Sequence, residues 1–215
     1  MAYARFRESL FDRRLKPGQF VSQRELSELL DVPMGAIREA LKRLEADGLI
    51  NLIAQRGVQI ADVNVAFINE AFEFRILIET EAARRSANIP DRERLNEIRA
   101  KTQQIIDQSG KTVSDDLMQA GLQVDLELHE FLVSVFTNGL IRQSHQQLED
   151  KVRLIRMNGK YTVDRLRAAM LEHLDIIDAL LEGDEQAAVA SLNAHLKTSW
   201  RRSLGLSPDM HGGLQ

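Results

Sequence analysis

Four side chains in the second half of the chain have the types and spacing to hold a metal ion. Asp125 and His129 lie one turn apart in the stretch AGLQVDLELHEFLV (120–133), whose periodicity predicts a helix. They share a stripe with Met118, Leu122, Leu132 and Phe136, so both face inward among apolar neighbours. A carboxylate and an imidazole placed there need partners, because burying an unpaired charge is strongly unfavourable. Two further histidines are available. His173 lies on a stripe with Leu166, Met170, Ile177 and Leu180, and His195 lies beside Leu192 and Leu196. If the last two helices form an antiparallel hairpin about Gly183, His173 precedes the turn by about ten residues and His195 follows it by about twelve. At ~1.5 Å of rise per residue the two then sit at nearly the same height. Asp125 and His129, at i and i+4, can converge on one point. Three imidazoles and a carboxylate suit zinc first, with nickel, manganese or iron also compatible, but not calcium. The expected cofactor is one divalent transition metal ion per chain, with one or two coordination positions left open. The competing reading is of core histidines satisfied by hydrogen bonds. His145 and His211 fit no such pattern and read as solvated.

The elements that position these groups are helical. From Asn64 onward only helical periodicity is found, over approximately 64–87, 91–109, 113–136, 138–157, 163–182 and 184–204. Asn88-Ile89-Pro90, Ser109-Gly110, Thr137-Asn138-Gly139, Asn158-Gly159 and Glu182-Gly183-Asp184 separate them. The Gly-rich tail, 207–215, reads as disordered. Arg75, with Ala71, Ile78 and Ala82, falls on an inward face of the first of these helices.

The first 61 residues read differently. A helix from about Ala2 to Leu15, with Phe6, Leu10 and Phe11 inward, is ended by Lys16-Pro17-Gly18. Ser22-Gln23-Arg24-Glu25 is a capping box that opens a second helix to about Leu30. After Asp31-Val32-Pro33 a third helix runs to Ala46, with Ile37, Leu41 and Leu44 inward and Gly48 closing it. Two extended runs, 49–53 and 58–61, flank the turn Ala54-Gln55-Arg56-Gly57. Helix, helix, tight turn, helix, hairpin is the order of a winged helix-turn-helix, with the third helix bound for the DNA major groove. Its outer face carries Arg38, Lys42 and Arg43; Arg24 opens the second helix and Arg56 tips the wing. These cations can neutralise phosphates, and an arginine can take a guanine edge bidentately. Met34 offers an apolar contact to a thymine methyl. Solvated helix charges are the plainer reading of the same residues.

Composition is ordinary for a soluble globular protein. Residues 1–61 carry 10 Lys and Arg against 8 Asp and Glu, and the remainder 18 against 24, so a slightly basic head sits on an acidic body. With no cysteine, disulfides and thiolate metal sites are excluded. No apolar run approaches the roughly 20 residues of a membrane span, and no signal-peptide core opens the chain, so a cytoplasmic protein without membrane contact is expected.

The stretch LKPGQFVSQRELSELLDVPMGAIREALKRLEADGLI, followed by a Gly-tipped hairpin, resembles the DNA-binding head of the GntR family of bacterial transcription regulators. The resemblance puts Arg24, Arg38 and Gly57 on family DNA-contact positions. Where the family opens its recognition helix with a Ser/Thr-Arg-Thr type of segment, this chain has Pro33-Met34-Gly35-Ala36. Those side chains donate no hydrogen bond to base edges, which shifts readout toward Arg38, Arg43 and the wing. FEFRILIETEAAR, DLELHEFL, EHLDIIDALLEGD and LNAHLKTSW resemble the marker segments of the FadR C-terminal (FCD) domain, in its smaller, VanR-like, metal-carrying form. That resemblance implies ligands at Asp125, His129, His173 and His195. It also implies that Arg75 clamps the carboxylate of an effector, the alternative being a salt bridge to Glu79.

The expectation is therefore a mostly α protein: a winged helix-turn-helix over 1–61, an all-helical ligand-binding and dimerisation domain over 62–206, and a tail. Its function would be that of a homodimeric regulator, more often a repressor, that binds double-stranded operator DNA and senses a small carboxylate at the metal. A metal-dependent hydrolase or lyase is the alternative, weakened because Glu127 and Glu130 point off the stripe and leave no general base. A sensor of the metal itself is the third reading.

Overall fold

A computed structural model of the chain describes residues 1–110, 114–159 and 162–206. The chain divides into two compact units, Met1–Ala71 with Glu149–Lys160, and Phe72–Leu148 with Tyr161–Gln215. The expected tail and His211 lie outside the described residues.

The first unit contains α1 (Ala2–Phe11), β1 (Phe20–Val21), α2 (Gln23–Leu30), α3 (Met34–Ala46), β2 (Ile50–Ile53) and β3 (Gly57–Ile60). The helix-turn-helix order is present, and its turn is held by identifiable bonds. Ser22 caps α2 by accepting from Glu25 N–H, while the Glu25 carboxylate accepts from Ser22 N–H. Asp31 ends α2 in the left-handed region, φ +49°. Arg5 of α1 donates to the carbonyls of Leu30 and Asp31 at 2.9 and 2.6 Å, satisfying acceptors that a helix end leaves open. Phe6, Leu10, Leu26, Ile37, Leu41 and Leu44 meet in one core, as their spacing predicts.

Two details differ from the expectation. The first helix stops at Phe11, short of Leu15, because Arg13 turns left-handed (φ +61°) and the N–H groups of Arg14 and Leu15 bond back to Ser9 O. That reversal buries Leu15 in the core. The wing also has a third strand. β1 pairs antiparallel with β3, giving the order β1-β3-β2. Gly57 starts β3 at φ +96°, and a Cβ there would stand 3.0 Å from Val21 O of β1, so glycine is required by the backbone itself.

Six helices follow: α4 (Val65–Asn88), α5 (Arg92–Gln108), α6 (Asp115–Ser134), α7 (Gly139–Asn158), α8 (Val163–Glu182) and α9 (Glu185–Ser203). Each lies within two residues of its expected bounds. Caps explain most of the starts: Asp91, Ser114, Thr162 and Asp184 each accept from a first-turn N–H. α8 and α9 form the expected hairpin, closed by Gly183 in the left-handed region at φ +74°. Among the described residues no helix is long and apolar enough to cross a membrane.

In the second unit α6 packs against α8 through Gly121. A Cβ at that position would stand 2.4 Å from Leu166 Cδ1, and Leu166 is fully buried. Gly121, Asp125 and His129 follow at intervals of four on one face of α6. The missing side chain therefore lets the face of α6 that carries Asp125 and His129 approach α8. Gly121→Leu should overpack this contact and lower stability by about 1–3 kcal/mol. Adding Leu166→Ala in the same chain should recover part of the loss. Urea melts of the single and double variants measure both, and an unchanged midpoint for Gly121→Leu would contradict the packing described.

Candidate metal centre and nucleic-acid interface

α6 supplies Asp125 and His129, α8 supplies His173 and α9 supplies His195, and all four side chains are buried. One ligand atom from each lies within 4.8 Å of all the others. His173 Nε2 is 3.4 Å from His195 Nε2 and 3.4 Å from Asp125 Oδ1, while His129 Nε2 is 4.0 Å from the same Oδ1. The hairpin height argument and the i,i+4 argument thus converge on one point.

The outer nitrogens of two rings are held by carboxylates. His129 Nδ1 donates to Glu79 Oε2 at 2.6 Å and His195 Nδ1 to Glu172 Oε2 at 2.7 Å. Both rings then present a bare Nε2 to the centre, the orientation that carboxylate–histidine pairs give metal-ligating imidazoles. His129 Nε2 is fully buried and has no hydrogen-bond partner among the described residues. Burial, then the nearby Arg75 guanidinium, depress the His129 pKa to about 4 against the opposing pull of Glu79 and Asp125. The ring is neutral at ordinary pH and offers a lone pair. An orphaned lone pair, a second bare imidazole nitrogen and a carboxylate oxygen around one dry point fit a divalent transition metal ion.

Arg75 is fully buried, and its Nε donates to Glu79 Oε1 at 2.7 Å, the salt bridge named as the alternative to a clamp. Burial alone would raise the Glu79 pKa, but Arg75 foremost, with His129 and His145, holds it well below the usual carboxylate range. His145 corrects the expectation of a solvated side chain. It is buried, with Nε2 3.1 Å from Glu79 Oε1. The signal was available, since Ile141, His145, Leu148 and Val152 form a stripe at spacings of four, three and four. Glu79 and Glu172 were missed as partners of His129 and His195, because which carboxylate meets a ring nitrogen depends on helix packing. Glu127, read as off the stripe, indeed points away and pairs with Arg94 and Lys101.

In the first unit the side chains expected to face DNA are exposed, and Gly57 is partly buried. Met34 is partly exposed at the start of α3, and Arg38 is exposed with no ion pair among the described residues. Lys42 pairs with Glu39 and Arg24 with Glu28, each at 3.0 Å and well exposed. Arg43 is more constrained. Its guanidinium lies 4.2 Å from the centre of the Tyr3 ring and 3.9 Å from Asp47, whose carboxylate also accepts from Tyr3 Oη at 2.5 Å. Arg56 lies in the turn between β2 and β3, 5.7 Å from the Phe20 ring, and Gly57 follows it.

Comparison with known proteins places these features. The family described as "Bacterial regulatory proteins, gntR family" matches residues 1–60, and the FCD domain matches residues 70–198. The HTH-type transcriptional repressor RspR of Escherichia coli is 24% identical over 195 residues, covering 91% of this chain and 84% of RspR. Among solved structures, E. coli McbR/YncC superimposes with a TM-score of 0.77 at 16% identity over 95% of both chains. The Zn2+-bound FCD domain of TM0439, a putative transcriptional regulator, gives a TM-score of 0.52 at 22% identity, covering 66% of this chain and 94% of that one. With both halves matched in order, the chain belongs to the GntR family of bacterial DNA-binding transcription regulators, its winged head followed by an FCD domain, and it is a regulator, not an enzyme.

Proposed function

We propose that this regulator is a homodimer that carries one divalent transition metal ion per chain, zinc in the first instance, and responds to a small organic acid. The observation that carries this reading is the convergence of Asp125, His129, His173 and His195 on one buried point. The zinc-bound state of the TM0439 FCD domain supports it by similarity. When bound, the ion supplies a Lewis-acidic position that a carboxylate can occupy. Arg75 is the residue assigned to the acid's charge. A guanidinium binds a carboxylate bidentately, and in this chain Arg75 already donates its Nε–H to Glu79 Oε1. Binding of the acid would act on DNA affinity by favouring one conformation of the protein over another. Repression relieved by the acid is the favoured sense, in line with the repressor among the relatives. Dimerisation follows from the head, since one chain has one recognition helix and a two-fold operator needs two. A regulator of bacterial operators works in the cytoplasm.

On DNA, Arg38 is assigned to base edges. Lys42, Arg24 and Arg56 are assigned to phosphates, Arg43 to a position fixed by Tyr3 and Asp47, and Gly57 to the close approach of the wing. Met34 contributes apolar contact only.

Two experiments test the reading. Purified protein should contain close to one transition-metal ion per chain by elemental analysis. His173→Ala should lose that ion and melt at a lower temperature, since an ion that binds only the folded state stabilises it. No metal in wild type prepared without chelator, and no uptake on reconstitution, would remove the site. The second is a titration of operator and scrambled duplex at several salt concentrations. Arg38→Ala should cost ~1–3 kcal/mol on the operator and less on scrambled DNA. Lys42→Ala should weaken both alike and lower the salt slope by about one. An unchanged operator-to-scrambled ratio in Arg38→Ala would make Arg38 a phosphate contact.

A further inference from the structure

The carboxylate of Glu79 serves three donors with two oxygens. Oε2 accepts from His129 Nδ1 at 2.6 Å, while Oε1 accepts from Arg75 Nε at 2.7 Å and from His145 Nε2 at 3.1 Å. The side chains of Glu79, Arg75 and His129 have no exposed surface. A guanidinium keeps its protons in a protein, so Oε1 is committed to a charged donor. Oε2 is then the atom that decides which nitrogen of His129 carries the proton. As an acceptor it draws the N–H to Nδ1 and leaves the Nε2 lone pair facing Asp125, His173 and His195.

We propose that Glu79 is the positioning residue of the metal centre, fixing the His129 tautomer, and that it does so because Arg75 holds its other oxygen in place. The inference rests on the metal reading above. Glu172 meets His195 in a similar way but is partly exposed, with 26% of its side-chain surface accessible and Arg202 3.5 Å from its other oxygen. Water can take over its acceptor role, whereas nothing from solvent reaches Glu79. The two carboxylates are therefore unequal.

Glu79→Gln tests this with almost no change of shape. The amide has a single acceptor oxygen, and Arg75 claims it. The NH2 group then faces His129 Nδ1, which has to accept, and the ring proton moves to Nε2, where it blocks a ligand position. In metal-free protein the imidazole 15N spectrum of His129 should change from the Nδ1–H to the Nε2–H tautomer. Zinc affinity should fall about 10- to 100-fold. Glu172→Gln should leave the His129 tautomer unchanged and cost less affinity. Adding Arg75→Met to Glu79→Gln lets the amide turn its oxygen to His129, so the Nδ1–H tautomer and most of the affinity should return. The double variant also removes both charges of the buried Arg75–Glu79 pair together, so it serves where Glu79→Gln alone fails to fold. An Nδ1–H tautomer in Glu79→Gln, or an Nε2–H tautomer in the double variant, would overturn the proposal. Failure of wild type to take up zinc would instead sink the metal reading, and the metal-free spectra would still decide the role of Glu79.

Discussion

Three imidazoles and a carboxylate gathered within a few ångströms, away from water, favour a cation among them. This constraint organises the second unit. The outer nitrogens of His129 and His195 are tied to Glu79 and Glu172, so their lone pairs have nowhere to turn but inward. The dominant effect on His129 is desolvation, which keeps the ring neutral and its Nε2 lone pair available. The helices pay for this arrangement elsewhere: Gly121 gives up a side chain so that α6 can close on α8, and Gly183 takes a left-handed turn so that α9 returns alongside α8. Around the polar centre, Leu128, Leu132, Ile176, Ile177, Leu192 and Leu196 supply the apolar burial that holds α6, α8 and α9 together.

The first unit solves a different problem, the presentation of one helix face. α3 buries Ile37, Leu41 and Leu44 and leaves Met34, Arg38, Lys42 and Arg43 outside. Its orientation is fixed at both ends. The turn before it is held by Arg5 and by Ser27, whose Oγ donates to Val32 O at 2.6 Å. The end after it is held by Asp47, which receives Tyr3 and has Arg43 beside it. Electrostatics is spread unevenly over the outer face. Arg38 has no ion pair among the described residues, whereas Lys42 and Arg24 each hold an exposed pair of small worth.

Much of this was legible in the sequence, and the parts that were not have a common cause. Helical periodicity and the Gly-, Asn- and Pro-containing breaks located six helices after the head, because 3.6-residue spacing and turn residues are local signals. That Asp125, His129, His173 and His195 come together was legible because all four sit on apolar stripes, where a polar side chain stands out. His145 sits on such a stripe too, Ile141 to Val152, but the carboxylate that satisfies it, Glu79, lies 66 positions away in sequence. Glu79 could be named only as a possible partner for Arg75, since its second oxygen meets a residue 50 positions away. The early end of α1 and the two-residue strand β1 were likewise hidden. The first depends on a left-handed Arg13, an unfavoured conformation for that residue, and the second on pairing with β3 across the head.

The metal centre is the claim on which effector sensing depends, and X-ray absorption at the zinc edge of the zinc-loaded, full-length protein tests it most directly. Zinc held by Asp125, His129, His173 and His195 should show only nitrogen and oxygen neighbours, at about 2.0–2.2 Å, with the outer-shell scattering of imidazole rings. A spectrum of fully hydrated zinc, with no imidazole scattering, would contradict the account.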